Sequence, residues 1–346
     1  MKEQVLVGVS GGVDSSVCVQ LLQEAGFAVR GAVIRFSPAH DHAVEEARAL
    51  AGQLGIPLEV LDAQDRFQQA VVRPFCESYC AGRTPNPCVV CNPLVKFDAL
   101  CAAADRAGIE RIATGHYARL SQREGALYVR RAASEKRDQS YMLYRLGQPV
   151  LRRLLLPLGE MEKEDVRATA AQRGLSSAKT PDSQEICFIP DGDYAAYIRR
   201  AGFTAPEGRF IGPEGQDLGP HRGLLHYTVG QRRGLHIALG RPVFVRRICP
   251  DGNIQLGYAE DAFFTGVRLG EVFRGDGRPF PPEGRYEVKI RSAAKPAPCT
   301  ARALPDGELE LQFDQPARAP APCQAAVLYE GDLVVGGGVI EEASPL

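Results

Sequence analysis

The chain has 346 residues and a formal net charge of −1, a length that accommodates two or three domains with their own cores. Its hydrophobic fraction of 45% and charged fraction of 24% are ordinary for a globular protein. Because the sequence contains no run of about 18 apolar residues, no membrane span is predicted. The near-neutral charge means that any nucleic-acid partner must be bound by local basic patches.

The amino terminus leads into a short apolar run, residues 5–9, and then into a glycine-rich turn. This run is too short and wrongly flanked for a signal peptide. We therefore expect a cytoplasmic protein, whose thiols are kept reduced. In that compartment ten cysteines indicate catalysis, metal binding or buried packing before disulfides.

Short apolar runs alternate with helical patterns over residues 1–202, as they do in a parallel α/β sheet. The predicted strands are 5–9, 28–34, 58–61 and 111–114. The predicted helices are 13–25, 42–54, 67–80, 97–107 and 163–173. Pro74 weakens the third of these helices. We expect residues 1–202 to form one catalytic α/β domain.

The pattern changes near residue 203. Residues 203–240 are rich in glycine and proline, and residues 203–262 are predicted to form a small linking domain. Hairpin signals begin at about residue 242, with Pro-Asp-Gly at 250–252 and 305–307 and Glu-Gly-Asp at 330–332. Residues 263–346 are therefore predicted to form a carboxyl-terminal β-barrel.

The segment Ser10-Gly-Gly-Val-Asp-Ser-Ser16 lies between the first predicted strand and the first predicted helix. Its glycines let the backbone approach a phosphate, and the amides of the turn and the positive helix end face the anion. It is not the GxxxxGK[ST] loop, since no lysine follows the glycines. The alternative is a serine–glycine turn that caps a helix. Asp14 could organise magnesium or cap the helix.

Two cysteine-containing segments and several short motifs narrow the function. They are residues 82–92 (GRTPNPCVVCN) with Lys96-Phe97, residues 181–188 (PDSQEICF), Gly115-His-Tyr-Ala118, Asp138-Gln-Ser-Tyr141 and Tyr227-Thr-Val-Gly-Gln-Arg232. Together with the phosphate loop they resemble the bacterial tRNA-specific 2-thiouridylase family of the ATP-pyrophosphatase superfamily. The resemblance covers nearly the whole chain.

The resemblance implies a tRNA-uridine 2-sulfurtransferase with an ATP-pyrophosphatase α/β domain. In that family ATP, assisted by Mg²⁺, adenylates the C2 oxygen of the wobble uridine (position 34) and releases pyrophosphate. A sulfur nucleophile then displaces AMP and leaves 2-thiouridine. The implied partners are tRNA and a sulfur-donor protein, either a cysteine desulfurase or a sulfur carrier, and no membrane.

The resemblance also implies roles for individual residues. Cys187 would carry the persulfide, and Cys91 would be its partner, able to resolve it by forming a disulfide. The residues implied to bind ATP are Gly8, Val9, Ser10, Gly11, Gly12, Val13, Asp14, Ser15, Ile34 and Gly115. Those implied to contact the target base or the tRNA are Asn86, Pro87, Cys88, His116, Arg137, Asp138, Gln139, Arg291, Ser292 and Gln324. At Ser292 the chain departs from the Arg-Tyr-Arg-Gln run common in the family.

Cys88 is a second departure, because many members of the family have aspartate at this position. With Cys91 and Cys187 it makes three thiolates, which could hold a [4Fe–4S] cluster with one iron free for sulfide. The persulfide route and the cluster route both remain open. A further alternative is a structural zinc site formed by Cys76, Cys80, Cys88 and Cys91.

Two other functions compete with this interpretation. Another ATP-pyrophosphatase, such as an amidotransferase-type synthetase, would adenylate a small molecule and would need neither Cys91 nor Cys187. A non-enzymatic, metal-containing RNA-binding module is the other alternative, and the intact phosphate loop argues against it.

Overall fold

The computed structural model describes residues 2–179 and 186–346. Residues 181–185 of the predicted persulfide motif lie outside the described residues, whereas Cys187 lies within them.

The described strands and helices follow in chain order. The strands are β1 Gln4–Gly8, β2 Ala28–Arg35, β3 Leu58–Asp62, β4 Arg111–Thr114, β5 Ala118–Arg123, β6 Ala126–Arg131, β7 Leu154–Leu155, β8 Arg209–Ile211, β9 Asp217–Pro220, β10 Phe244–Ile248, β11 Ile254–Gly257, β12 Phe263–Arg274, β13 Glu283–Lys289, β14 Ala297–Ala303, β15 Leu309–Arg318, β16 Ala325–Glu330 and β17 Leu333–Pro345. The α-helices are α1 Val13–Glu24, α2 Asp41–Leu54, α3 Gln64–Phe67, α4 Arg73–Cys80, α5 Pro87–Cys91, α6 Phe97–Arg106, α7 Gln148–Leu151, α8 Lys163–Gln172 and α9 Tyr194–Arg200.

A five-stranded parallel sheet with strand order β3-β2-β1-β4-β7 forms the amino-terminal core. Its central strand β1 is buried on both faces, because Leu6 packs into one hydrophobic cluster while Val5 and Val7 pack into another. Helices covering both faces are what a parallel sheet requires. The predicted parallel α/β class is confirmed, and β1, β2, β3 and β4 lie at the four predicted strands.

The helical run from Gln64 to Cys80 contains a π-helical turn, Gln68–Val72, between α3 and α4. Pro74 lies in the first turn of α4, directly after this turn. A proline is tolerated in a first turn, where its missing N–H costs no intrahelical hydrogen bond. The run therefore continues as a helix, with a change of pitch ahead of the proline.

The second region is a small sheet, and the third is a closed barrel. The small sheet has strand order β10-β11-β8-β9 around a core that includes Phe210, Tyr227 and Ile254. The barrel runs β12-β15-β14-β13-β16-β17 and closes through β12–β17 pairing. The predicted linking fold and carboxyl-terminal barrel are both confirmed.

A hairpin from the first region extends the barrel sheet, which the sequence did not indicate. Strands β5 and β6 pair with each other, and β6 pairs with β17 at Arg130 opposite Leu333. Arginines of the hairpin face acids of the barrel: Arg119 lies 3.4 Å from Asp332, and Arg130 also pairs with Asp332. The α/β region and the barrel are thus joined by strand pairing and by ion pairs.

One helical run among the described residues, Pro87–Arg106, is long and apolar enough to cross a membrane by length and composition. Half of it is buried inside the protein. Its apolar side chains, including Val89, Val95 and Leu100, pack into the hydrophobic cluster on one face of the parallel sheet. Core packing therefore accounts for its composition.

Candidate active site

The phosphate loop connects β1 to α1 and is closed by its own hydroxyl groups. Ser15 Oγ donates to the Gly12 carbonyl at 2.9 Å and accepts from the Ser10 amide at 3.2 Å. Gly11 has φ +80°, and a Cβ there would meet the Glu46 side chain at 2.6 Å. In the described structure Gly12 caps α1 without a side-chain hydrogen bond. The backbone amides of the first turn are therefore available to bind an anion.

Asp14, in the first turn of α1, binds a lysine that comes from far along the chain. Lys163 Nζ lies 2.7 and 2.8 Å from its two carboxylate oxygens, and the Tyr117 hydroxyl donates to Oδ1 at 2.7 Å. Lys163 is the first residue of α8 and is only 4% exposed. It is absent from the predicted site residues, although its place at the start of a predicted helix was visible in the sequence. The fold supplies a cation that the loop sequence lacks.

Two further predicted ATP contacts flank this loop on neighbouring strands. Ile34 is buried near the end of β2, and Gly115 directly follows β4. A Cβ at Gly115 would lie 2.9 Å from the Asp14 carbonyl carbon. Only glycine fits this close approach to the loop.

The predicted thiols of Cys88, Cys91 and Cys187 lie near one another, and we call this group the thiol cleft. Cys88 and Cys91 belong to α5, whose first turn is capped by Asn86: its side-chain oxygen accepts from the Cys88 amide at 3.1 Å. Cys187 and Cys88 lie close enough to Cys91 that a negative charge on either sulfur raises the pKa of Cys91. Cys88 and Cys187 reach solvent, whereas Cys91 is buried.

Although part of Cys88 and of Cys187 reaches solvent, the loss of water around the sulfur atoms is the largest influence on the pKa of all three thiols. It raises the pKa of Cys91 to about 12 and that of Cys187 to about 11, and it also raises the pKa of Cys88. The resting thiols are therefore protonated at neutral pH. Since only the thiolate is a nucleophile, the site must stabilise the charged form when sulfur is transferred.

Lys96 is the cation that opposes the increase in the thiol pKa values. Its charge lowers the pKa of Cys88, Cys91 and Cys187, and its backbone N–H further lowers the pKa of Cys91. The π-helical turn Asn92–Lys96 follows Cys91 directly, and such turns recur at functional sites. Lys96 is not among the predicted site residues.

His116 links the two halves of the site. It follows Gly115, which packs on the phosphate loop, and its ring stacks on Phe97 with centroids 5.9 Å apart. Its Nδ1 shares a hydrogen bond with the Thr114 hydroxyl at 2.8 Å. Burial, and then the charge of Lys96, holds the pKa of His116 well below its usual value, so the ring is neutral.

The cysteines do not form a ready metal site. Among residues 2–179 and 186–346, no three His, Cys, Asp or Glu side chains converge as a set of metal ligands. Cys76 is fully buried in the core and Cys80 is half-buried, both on α4. Neither the zinc set nor the [4Fe–4S] set is assembled in the described structure.

Two of the predicted tRNA contacts bind neighbouring backbone. Asp138 accepts hydrogen bonds from the Ala132 and Ser140 amides, both at 3.1 Å. Gln139 accepts one from the Tyr117 amide at 2.9 Å. These side chains hold the chain next to His116, and the adjacent Arg137 is partly exposed.

Two of the three predicted contacts in the barrel region lie where it meets other parts of the protein. Arg291 donates to the Val229 carbonyl at 3.0 Å, and burial lowers its pKa. Gln324 donates to the Thr84 carbonyl at 2.7 Å, just before the cysteine helix. Ser292 is partly exposed. Arg291 and Gln324 therefore brace the linking region and the cysteine segment against the barrel.

Three family models match the chain in succession. The tRNA methyl transferase HUP domain matches residues 3–191, the tRNA methyl transferase PRC-barrel domain residues 196–255, and the aminomethyltransferase beta-barrel domain residues 277–340.

Individual relatives also match this sequence over nearly its whole length. The chain is 41% identical to the tRNA-specific 2-thiouridylase MnmA of Clostridium botulinum, with 98% of each chain covered. It is 39% identical to that of Clostridioides difficile, with 99% of each covered. It is 42% identical to that of Lachnoclostridium phytofermentans, with 98% of this chain and 99% of the relative covered.

Proposed function

Because this chain belongs to the family of tRNA-specific 2-thiouridylases, we propose that it uses ATP to replace the C2 oxygen of the wobble uridine in tRNA with sulfur. The observation that supports this best is the link between an anion-binding loop and a cleft of three thiols. Gly115 packs on the loop, and the adjacent His116 lies within the electrostatic reach of Lys96 and hence of the thiols.

The first step is activation of the base. The loop holds the phosphates of ATP on the amides at the start of α1, while the uridine enters beside Asn86, Pro87 and Cys88. A base must leave its stack to reach such a cleft. The C2 oxygen attacks the α-phosphate, pyrophosphate leaves, and AMP becomes the group to be displaced.

The second step is sulfur transfer. The terminal sulfur of a persulfide on Cys187 attacks C2, and AMP leaves with the oxygen. The Cys91 thiolate then attacks the Cys187 sulfur, which breaks the S–S bond, forms a Cys91–Cys187 disulfide and leaves sulfur on C2. An external dithiol reduces the disulfide and is itself oxidised to a disulfide, and a donor protein that carries a persulfide reloads Cys187. Lys96 favours the thiolates that these attacks require.

Magnesium enters with the phosphates of ATP, and we assign no protein ligand to it, because Lys163 binds both oxygens of Asp14. We derive no step through an iron–sulfur cluster, since its thiols have not converged as ligands. The cluster remains the alternative outcome of the test.

The proposal is tested by two assays on anaerobically prepared protein. Exchange of labelled pyrophosphate into ATP should depend on tRNA, and persulfide-loaded protein should form one 2-thiouridine per persulfide. Exchange that needs no tRNA would favour a small-molecule synthetase, and absence of ATP turnover with tRNA would favour a binding module.

Iron and sulfide analysis, paired with the variant Cys88→Asp, decides between the persulfide and the cluster as the source of sulfur. Thiolation by that variant without iron supports the persulfide, whereas loss of thiolation together with loss of iron supports the cluster.

A further inference from the structure

The phosphate loop has a carboxylate at the place where an anion must bind. Asp14 lies in the first turn of α1, and its side chain is 33% exposed, so it faces the solvent from which the ligand comes. A negative side chain there stabilises the helix, but it repels a phosphate in the same turn. Like charges that share one helical turn repel each other, because protein surroundings weaken their interaction less than bulk water does.

The structure places a buried cation behind this carboxylate. Lys163 contacts both oxygens of Asp14, and its side chain is 5% exposed. Tyr117 also donates to Asp14, but a neutral hydroxyl cannot cancel a charge. Because the lysine is buried, this partly buried pair is screened less by salt than an exposed pair would be. Glu46, the other acid beside the loop, is 42% exposed and lies 3.6 Å from an exposed histidine, His42.

We propose that Lys163 is a positioning residue that cancels the charge of Asp14, so that the phosphate loop accepts the pyrophosphate portion of ATP. The inference rests on the proposed use of this loop as the ATP site. The geometry suits this role because Lys163 starts α8, whose position fixes the lysine backbone while its ammonium contacts the Asp14 carboxylate. The lysine acts through Asp14 and need not touch the phosphates.

The test is calorimetric binding of inorganic pyrophosphate in the presence of a chelator, so that no metal contributes. Lys163→Met should weaken binding by roughly 10- to 100-fold, because it leaves the Asp14 charge uncompensated. Asp14→Asn should strengthen binding. The double variant Asp14→Asn/Lys163→Met should return to within a few-fold of the wild-type affinity, since the loop again has no net charge.

Lys163→Arg, which keeps the charge, and Lys295→Met, an exposed lysine between β13 and β14, should both bind like the wild type. A double variant as weak as Lys163→Met would overturn the inference and indicate that the lysine touches the anion directly. Thermal melts show whether Lys163→Met folds, and the double variant tests the inference even if that single variant does not. Absence of pyrophosphate binding by the wild type would overturn the ATP site itself.

Discussion

The phosphate loop and the thiol cleft are built in opposite ways. The loop is one continuous segment closed by short-range hydrogen bonds, such as that from the Ser10 amide to Ser15 Oγ, and it contacts the distant Lys163 through Asp14. The cleft combines α5 with Cys187, and the segment that precedes α5 is braced by Gln324 of the barrel region. A site closed mainly by local bonds depends on few distant residues, whereas an assembled site depends on every piece that positions it.

The two sites also differ in charge. The loop presents backbone amides and a carboxylate that a buried lysine cancels, so it suits an anion without rearrangement. The cleft holds thiols whose pKa values are raised by burial, with Lys96 as the compensating cation. The loop is therefore organised for its ligand in advance, while the cleft must still create its nucleophile.

Removing the sulfur carrier should separate the two sites most clearly. Cys187→Ala should lower 2-thiouridine formation by about 10³-fold or more, because the variant has no sulfur to transfer. Exchange of pyrophosphate into ATP with tRNA should remain within a few-fold of wild type. Cys249→Ala, at a half-buried cysteine outside the cleft, is the matched control. Retained thiolation in Cys187→Ala would contradict the role assigned to this residue.

The raised pKa of Cys187 should be visible in its reactivity. Since the pKa is about 11, alkylation at neutral pH should be about 10- to 100-fold slower than that of glutathione. Only the thiolate reacts, and its fraction increases with pH until the pKa is passed. The alkylation rate should therefore keep rising with pH and should not level off below about pH 10. Site-resolved mass spectrometry across this range provides the measurement. A plateau near pH 8 to 9 would show that the thiol has an ordinary pKa.

The smallest expected effect comes from loosening the brace on the cleft. Gln324→Ala removes a hydrogen bond to the Thr84 carbonyl worth about 1 kcal/mol. We expect thiolation to fall about fivefold, because the cysteine segment is held less firmly. Pyrophosphate binding without metal should be unchanged, since the loop does not depend on this contact. Gln312→Ala, a barrel glutamine that bonds within the barrel to Thr265, controls for general loosening of the barrel. Equal effects of Gln324→Ala on both readouts would remove the distinction between a local and an assembled site.

The regular elements of the α/β region were predictable because their periodicity is local. Strands such as β1 and β4 and helices such as α1 and α8 lie within a residue or two of the predicted bounds. The hairpin β5–β6 was missed because apolar and polar residues alternate only weakly in it. Its partner strand, β17, also lies some two hundred residues downstream. Pairing of that kind depends on the tertiary fold and leaves little local signal.

By itself the sequence determined the phosphate loop, the parallel fold around it and the cysteines that the family resemblance singled out. The reason is that glycines, hydroxyls and helix starts act over a few residues. Only the tertiary structure decided that Lys163 neutralises Asp14, that Lys96 faces the three thiols, and that Asp138, Gln139 and Gln324 bind backbone. Charges and hydrogen bonds act through space, so the partner of a side chain is set by how distant segments pack.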